Sequence, residues 1–317
     1  MKKVRVAIMG YGHLGKWHTQ KANQLESSEL VAVVEPSKAH QESARSEYPS
    51  IKVVENIEGI MDEIDAAIVV TPTSIHYDCV QKLLNANKHV FCEKPLCSTF
   101  EQTKNLASLI GDNILQVGHS ERCHQAWELI DTKLKALAGP KTVKINRFAP
   151  FKGRATDVDV VQDLMIHDID LIHYLFGAIL KSVETVGQKI RTDHWDHVTA
   201  IFTTTDNDKI IITSGRNHVF EERSFEVMST AGSLYVDLFR NKIHEGTSTE
   251  FSSGEFVKTT DYEKRDHLLV EQEKFYDSIL NGKDIFVDYT AGKNAVLVVD
   301  KTLESLASGK VTPIIYE

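Results

Sequence analysis

Val4-Arg5-Val6-Ala7-Ile8-Met9-Gly10-Tyr11-Gly12-His13-Leu14-Gly15 decides how the rest of the chain is read. The first six residues are short, mostly apolar and β-rich, and predict a buried strand. The next six follow G-x-G-x-x-G. Gly10 permits a tight turn, Gly12 lets a pyrophosphate approach the backbone, and Gly15 lets the following helix pack closely on the strand. Residues 16–25 can be helical. Such a helix aims its free N–H groups and positive dipole end at phosphate, with His13 and Leu14 at the loop tip. A second strand, residues 30–34, ends in Glu35. That is roughly twenty residues past the last glycine, where a carboxylate that accepts ribose hydroxyls is expected. A carboxylate there repels a 2′-phosphate, so NAD is the expected cofactor. Ser37 and Lys38, just beyond, leave NADP as the alternative.

Strands and helices alternate from there. Strands are predicted at 51–54, 65–70, 88–92 and 114–118, with helices at 37–46, 57–64, 74–87 and 99–110. This spacing means right-handed βαβ units and a parallel sheet covered on both faces. Residues 1–120 therefore form a doubly wound, Rossmann-type dinucleotide-binding domain. The pattern then changes. One long helix is predicted over 121–137, a strand over 142–148 and a helix over 160–176 closed by Gly177. Five β-rich segments then follow between 182 and 238. Residues 121–317 read as an α+β domain with a large, mainly antiparallel open sheet and late helices at 266–280 and 289–308. The expected fold class is α/β followed by α+β.

The composition narrows the partners. The net charge of -9 argues against a general nucleic-acid or membrane surface, but leaves room for a local basic pocket. Cys79, Cys92, Cys97 and Cys123 show no zinc-like or C-x-x-C spacing, which fits a reducing cytoplasm. The apolar run after Met1-Lys2-Lys3 stops at Gly10, too soon for a signal peptide, and no stretch approaches membrane-spanning length.

In an open parallel sheet, ligands bind at the carboxyl ends of the strands. The segments there are the glycine loop, Glu35, Thr71-Pro72-Thr73, Glu93-Lys94-Pro95 and Gly118-His119. Lys94 leaves an apolar strand next to the expected nicotinamide. A cation there can stabilise the alkoxide that develops as hydride leaves, or else it is a solvated lysine paired with Glu93. A second constellation is Asp163-Leu164-Met165-Ile166-His167-Asp168-Ile169-Asp170. Asp163, His167 and Asp170, spaced i, i+4, i+7, share one helical face. A carboxylate one turn away can set the tautomer of a histidine that serves as general base. The same face would also suit a metal or a structural network. Arg122, Arg147, Lys152 and Arg154 form a third feature, a basic cluster suited to an anionic substrate group, with scattered surface charge as the alternative.

Together, G-Y-G-H-L-G at 10–15, E-K-P at 93–95 and D-x-x-x-H-x-x-D at 163–170 resemble the Gfo/Idh/MocA family, over nearly the whole chain. The resemblance implies a nicotinamide-dependent oxidoreductase acting on the CH–OH group of a sugar or cyclitol. Lys94 and His167 would be catalytic, and Asp163 would orient substrate or histidine. No metal is implied. The open sheet face of the second domain would pack in a homodimer or homotetramer. Gly118-His119-Ser120-Glu121-Arg122 with residues 163–170 also looks like the subgroup that includes UDP-N-acetylglucosamine 3-dehydrogenases. His119, Arg122, Arg147, Lys152, Arg154, Asp163 and His167 would then meet the substrate, with the basic residues on a UDP diphosphate. Where that subgroup often reads Phe-Asn-Pro, this chain has Cys123-His124-Gln125. An inositol or simple-sugar dehydrogenase, or a non-catalytic NAD-binding sensor, is the alternative.

Overall fold

The computed structural model describes residues 2–153, 156–247 and 258–317. The chain divides into two units, Met1–Ser120 with Asp266–Val296, and Glu121–Arg265 with Leu297–Glu317.

The first unit is built on β1 (Val4–Met9), α1 (His13–Gln24), β2 (Ser28–Val34), α2 (Lys38–Glu47), β3 (Lys52–Val54), β4 (Ala66–Val69), α3 (His76–Asn85), β5 (His89–Glu93), α4 (Phe100–Leu106) and β6 (Leu115–Gly118). All pairings are parallel, in the order β3-β2-β1-β4-β5-β6. The chain runs outward from β1 to β3, then returns to lay β4 on the other side of β1. That reversal places the topological switch at the carboxyl ends of β1 and β4. The period-2 pattern is visible in the core. Val4, Val6 and Ile8 of β1 face one cluster, and Ala7 and Met9 face the other. Two predicted helices are tighter than expected. Residues Glu58–Glu63 form a 3-10 turn, and α3 is preceded by another at Thr73–Ile75. Thr99 caps α4, its side chain accepting from Gln102 N.

The expectation of one continuous second domain over 121–317 is corrected here. Asp266–Val296 belongs to the first unit. Helix His267–Asn281 inserts Phe275 and Tyr276, both fully buried, against Val6, Ile8, Ile68 and Phe91. Burying each such aromatic contributes about 1.5–3 kcal/mol, which outweighs any tie to neighbours in sequence. Gly292 is needed on the opposite face, where a Cβ would sit 2.6 Å from Val117 Cγ2.

In the second unit, α5 (Gln125–Ala136), β7 (Thr142–Phe148) and α6 (Ile166–Phe176) precede the β-rich run: β8 (Leu180–Gln188), β9 (His197–Thr204), β10 (Lys209–Gly215), β11 (Glu222–Ser229), β12 (Gly232–Asp237), β13 (Lys242–Thr247), β14 (Lys258–Asp261) and β15 (Thr312–Pro313). The sheet order is β14-β13-β12-β11-β7-β10-β9-β8-β15, and among the described residues only β7 with β10 is parallel. Helices α5 and α6 pack on the same strand residue. Phe225 of β11 meets Trp127 edge-on and stacks with Phe176. The single long helix expected over 121–137 is broken. Ser120–Cys123 is a 3-10 turn, and His124 is extended before α5 begins. The cause is Glu121. Its carbonyl accepts from Trp127 Nε1 at 2.7 Å and its carboxylate from His124 Nε2 at 3.2 Å, which draws the segment inward instead of along a helix axis.

Candidate active site

The glycine loop is shaped by contacts no side chain would survive. Gly10 stands at φ 99°, and a Cβ there would lie 2.7 Å from Val70 O. A Cβ on Gly15 would lie 2.1 Å from Gly10 O, so α1 rests directly on the loop. At Gly12 the space within 4 Å is open, so a ligand can reach the backbone. The first turn of α1 carries no acidic residue, and His13 and Leu14 are exposed at its mouth. The N–H groups and dipole there suit a pyrophosphate.

Glu35 ties the second strand to this loop. Its Oε2 accepts from Tyr11 N at 2.7 Å and its Oε1 from Ser37 N at 2.8 Å. Each oxygen keeps a second lone pair for a ribose hydroxyl. The carboxylate is only 6% exposed and held rigidly, so a 2′-phosphate would meet a fixed negative charge. We expect kcat/KM to be higher with NAD than with NADP. Assays with both cofactors check this, and a clear NADP preference would contradict it.

The loops after β4 and β5 are joined. His76, buried at the start of α3, lies 2.9 Å from Thr71 O and 2.8 Å from Pro95 O. Thr71 is half-buried and Pro72 exposed. Glu93, the last residue of β5, is buried, and Lys94 after it is half-buried. His119 is buried just past β6. These residues sit at the strand ends where the parallel sheet places a site.

In the second unit, the regular helix expected to carry both Asp163 and His167 is interrupted between them. Val161–Met165 is a π-helical turn, in which Ile166 N–H reaches back to Val161 O. The extra residue widens the spacing ahead of His167, which lies in the first turn of α6. Such turns occur often at functional sites. Asp163 and His167 are both half-buried, whereas Asp168 and Asp170 are buried. A frame that sequence reading missed holds the turn. Val160 N donates to Trp195 O, and Trp195 N donates to Asp159 Oδ1 at 2.6 Å. Arg216 joins Asp196 at 2.6 Å and donates to Val158 O. Burial opposes the charge of Asp196, but backbone N–H donors from 190–192 and Arg216 hold its carboxyl well below the usual range. Asp159, Asp196 and Arg216 meet across strands and turns, so no spacing in the sequence announces them.

The residues of the expected basic cluster have separate partners. Arg122 forks onto Asp170 at 2.7 and 2.6 Å, with its guanidinium over Tyr174. Arg147 forks onto Asp168 at 2.9 and 2.7 Å and also reaches Glu121 at 3.2 Å. Both arginines are thus committed to buried carboxylates of the same motif that was read as one functional face, and Asp170 serves Arg122. Lys152 pairs with Glu221 in a partly exposed contact, and Arg154 lies outside the described residues. Breaking a buried pair leaves an uncompensated charge. Arg147→Ala should therefore lower Tm by several degrees instead of raising KM alone. A variant with unchanged Tm and a selectively raised KM would instead support the substrate role.

Among the described residues, the His and carboxylate side chains close enough to hold a cation are His18, Glu93 and Glu271, not the Asp163–His167 face. No described helix is long and apolar enough to cross a membrane.

Two family models match. One, described as an oxidoreductase family with an NAD-binding Rossmann fold, covers residues 4–119, and the GFO/IDH/MocA C-terminal domain covers residues 146–235. The UDP-N-acetylglucosamine 3-dehydrogenase of Acidithiobacillus ferrooxidans is 29% identical over 302 residues, covering 93% of this chain and 95% of that protein. Its solved structure superposes with a TM-score of 0.88 at 27% identity, covering 98% of this chain and 99% of that one. The scyllo-inositol 2-dehydrogenase (NAD(+)) of Bacillus subtilis is 28% identical over 304 residues, covering 89% of this chain and 87% of that protein. The scyllo-inositol dehydrogenase of Lactobacillus casei, solved with bound NAD(H) and scyllo-inositol, shares the fold, with a TM-score of 0.84 at 21% identity and 99% of both chains covered. With its glycine cradle, its doubly wound sheet and both domain matches, the chain belongs to the Gfo/Idh/MocA family, as an NAD-binding oxidoreductase of the sugar and inositol dehydrogenase kind.

Proposed function

We propose that this enzyme oxidises the 3-hydroxyl of a UDP-N-acetylhexosamine, with UDP-N-acetylglucosamine favoured. The observation that carries it is the likeness to the A. ferrooxidans enzyme over 93% of the chain. The segments that prompted the reading, residues 118–122 and 163–170, lie around the strand end after β6 and the π-turn helix. When bound, the nicotinamide takes up the hydride that leaves the substrate carbon. His167 accepts the hydroxyl proton, and Asp163 orients the imidazole or the substrate. The Lys94 ammonium hydrogen-bonds the substrate oxygen and stabilises the charge that develops on it. Position and electrostatics are the protein's contribution.

A second reading is favoured by one observation. Arg122 and Arg147, two of the four cations expected to hold a diphosphate, are engaged by Asp170 and Asp168. That suits an uncharged substrate, as an inositol dehydrogenase uses. Incubation with NAD and either UDP-N-acetylglucosamine or scyllo- and myo-inositol separates the two. A rise in nicotinamide absorbance with the nucleotide sugar, with a product two mass units lighter, is expected. A rise with inositol only would select the second reading, and no turnover with any polyol would favour a non-catalytic sensor.

We also place the enzyme in the cytoplasm, where its free Cys79, Cys92, Cys97 and Cys123 stay reduced. Exposed Val186 and Ile201, on β8 and β9, make the large sheet the expected contact in a homodimer or homotetramer. Light scattering showing a monomer would remove that assembly.

A further inference from the structure

A chain of hydrogen bonds runs in one direction through the core of the first unit to Glu93, where the Lys94 backbone N–H also converges. Tyr276 Oη donates to Gln272 Oε1 at 3.1 Å, which turns the amide nitrogen toward His18. Gln272 Nε2 donates to His18 Nδ1 at 2.9 Å and to His18 O at 3.1 Å. Nδ1 is therefore an acceptor, and the imidazole proton sits on Nε2. That Nε2–H donates to Glu93 Oε1 at 2.7 Å, and Glu93 Oε2 accepts from the Lys94 backbone N–H at 3.2 Å. His18, Gln272, Tyr276 and Glu93 are all buried.

Charge is distributed to suit this chain. Burial opposes the Glu93 carboxylate, but the His18 hydrogen bond, attraction to His18 and Lys94, and the Lys94 N–H hold it below the usual range. Glu271 has ligand atoms within 4.8 Å of the same pair. Burial first, then the charges of Glu93 and Asp266, push it well above the usual range. The two oxygens of Glu93 thus serve as acceptors for His18 and for the Lys94 N–H.

We propose that His18 is a positioning residue that fixes Glu93 and, through Glu93, the backbone from which the Lys94 side chain springs. His18 lies on α1, the helix that opens at the glycine loop. One side chain therefore links the cofactor-facing helix to the lysine. The inference rests on reading Lys94 as the group that stabilises the substrate oxygen. A displaced reacting group can cost about 100-fold in rate.

The test is steady-state kinetics on the full chain, with NADH affinity read by fluorescence. His18→Leu removes the donor, and kcat should fall by about 10-fold to 100-fold with NADH affinity and Tm largely retained. His18→Gln, whose amide still donates to Glu93, should recover most of that loss. If His18→Leu does not fold, His18→Asn, too short to reach Glu93, takes its place with the same expectation. An unchanged kcat, or one equally low in His18→Gln, would overturn the positioning role. Lys94→Ala is measured alongside. Normal turnover there removes the underlying lysine reading, whereas its collapse beside an unaffected His18→Leu removes only this inference. A stoichiometric metal in the purified protein would put a cation where the His18 proton lies and would overturn the hydrogen-bonded chain.

Discussion

Lys94→Ala should lower kcat by about two to three orders of magnitude, the range seen when one preorganised donor to a developing oxyanion is lost. The reasoning starts from the strand. β5 is flanked by β4 and β6, and its residues Val90, Phe91 and Cys92 are fully buried, so its end is a fixed point. Glu93, itself buried, accepts from the Lys94 N–H, so the Lys94 side chain springs from a fixed backbone. Negative charge builds on the substrate oxygen as its proton leaves and is used up only as the hydride departs, so the lysine interacts more strongly with the alkoxide-like transition state than with the bound alcohol. The loss should fall on kcat, with little change in cofactor affinity. With hydride transfer slowed, a substrate deuterated at the reacting carbon should show a larger isotope effect than in the wild type. Near-normal turnover in a folded variant would return Lys94 to an ordinary surface charge.

The glycine loop was legible because its constraints are local. Gly10 needs a positive φ, Gly15 needs a missing Cβ, and both needs show in the residue type. The parallel sheet followed from the alternation of strand and helix. What escaped the sequence has a different physical origin. The π-turn at Val161–Met165 adds one residue to a helical ladder, which apolar periodicity over so short a span cannot register. Arg147 and Asp168 are 21 residues apart, and Arg122 and Asp170 are 48 apart. From sequence they looked like a basic cluster and a carboxylate-rich helix, two separate features. Folding joins them, because an arginine buried without a carboxylate would carry an unaffordable desolvation cost. Likewise, Phe275 and Tyr276 mark an amphipathic helix in the sequence, but only the core of the first unit shows which sheet they cover.

The consequence for the motif at 163–170 is a division of labour among its acidic groups. Asp168 and Asp170 anchor α6 to the sheet and to the Ser120–Cys123 turn through Arg147 and Arg122. Asp163 and His167 are half-buried beside the π-turn, and the proposed function assigns the chemistry to them. Anchors of this kind keep a base within the narrow geometric tolerance that proton transfer demands.

The largest effect is expected at His167. His167→Asn should lose roughly two to four orders of magnitude in the rate of alcohol oxidation, the range for removal of a general base. Asparagine keeps polarity and approximate size, so α6, anchored by its buried neighbours Ile166, Asp168, Ile169 and Ile172, should still form. NADH binding, a property of the first unit, should be retained. The sign of the pH effect follows from the role. A base must be neutral to accept a proton, so wild-type oxidation should fall as pH drops through the histidine's pKa. The variant should lack that acidic limb. Asp163→Asn should also be damaging, and the double variant should be little worse than His167→Asn, because groups that act as a unit do not add. Chelators should leave the wild-type rate unchanged, which separates proton transfer by His167 from metal-assisted chemistry. Retention of both the rate and the acidic limb in His167→Asn would move the base elsewhere and leave this helix a structural element alone.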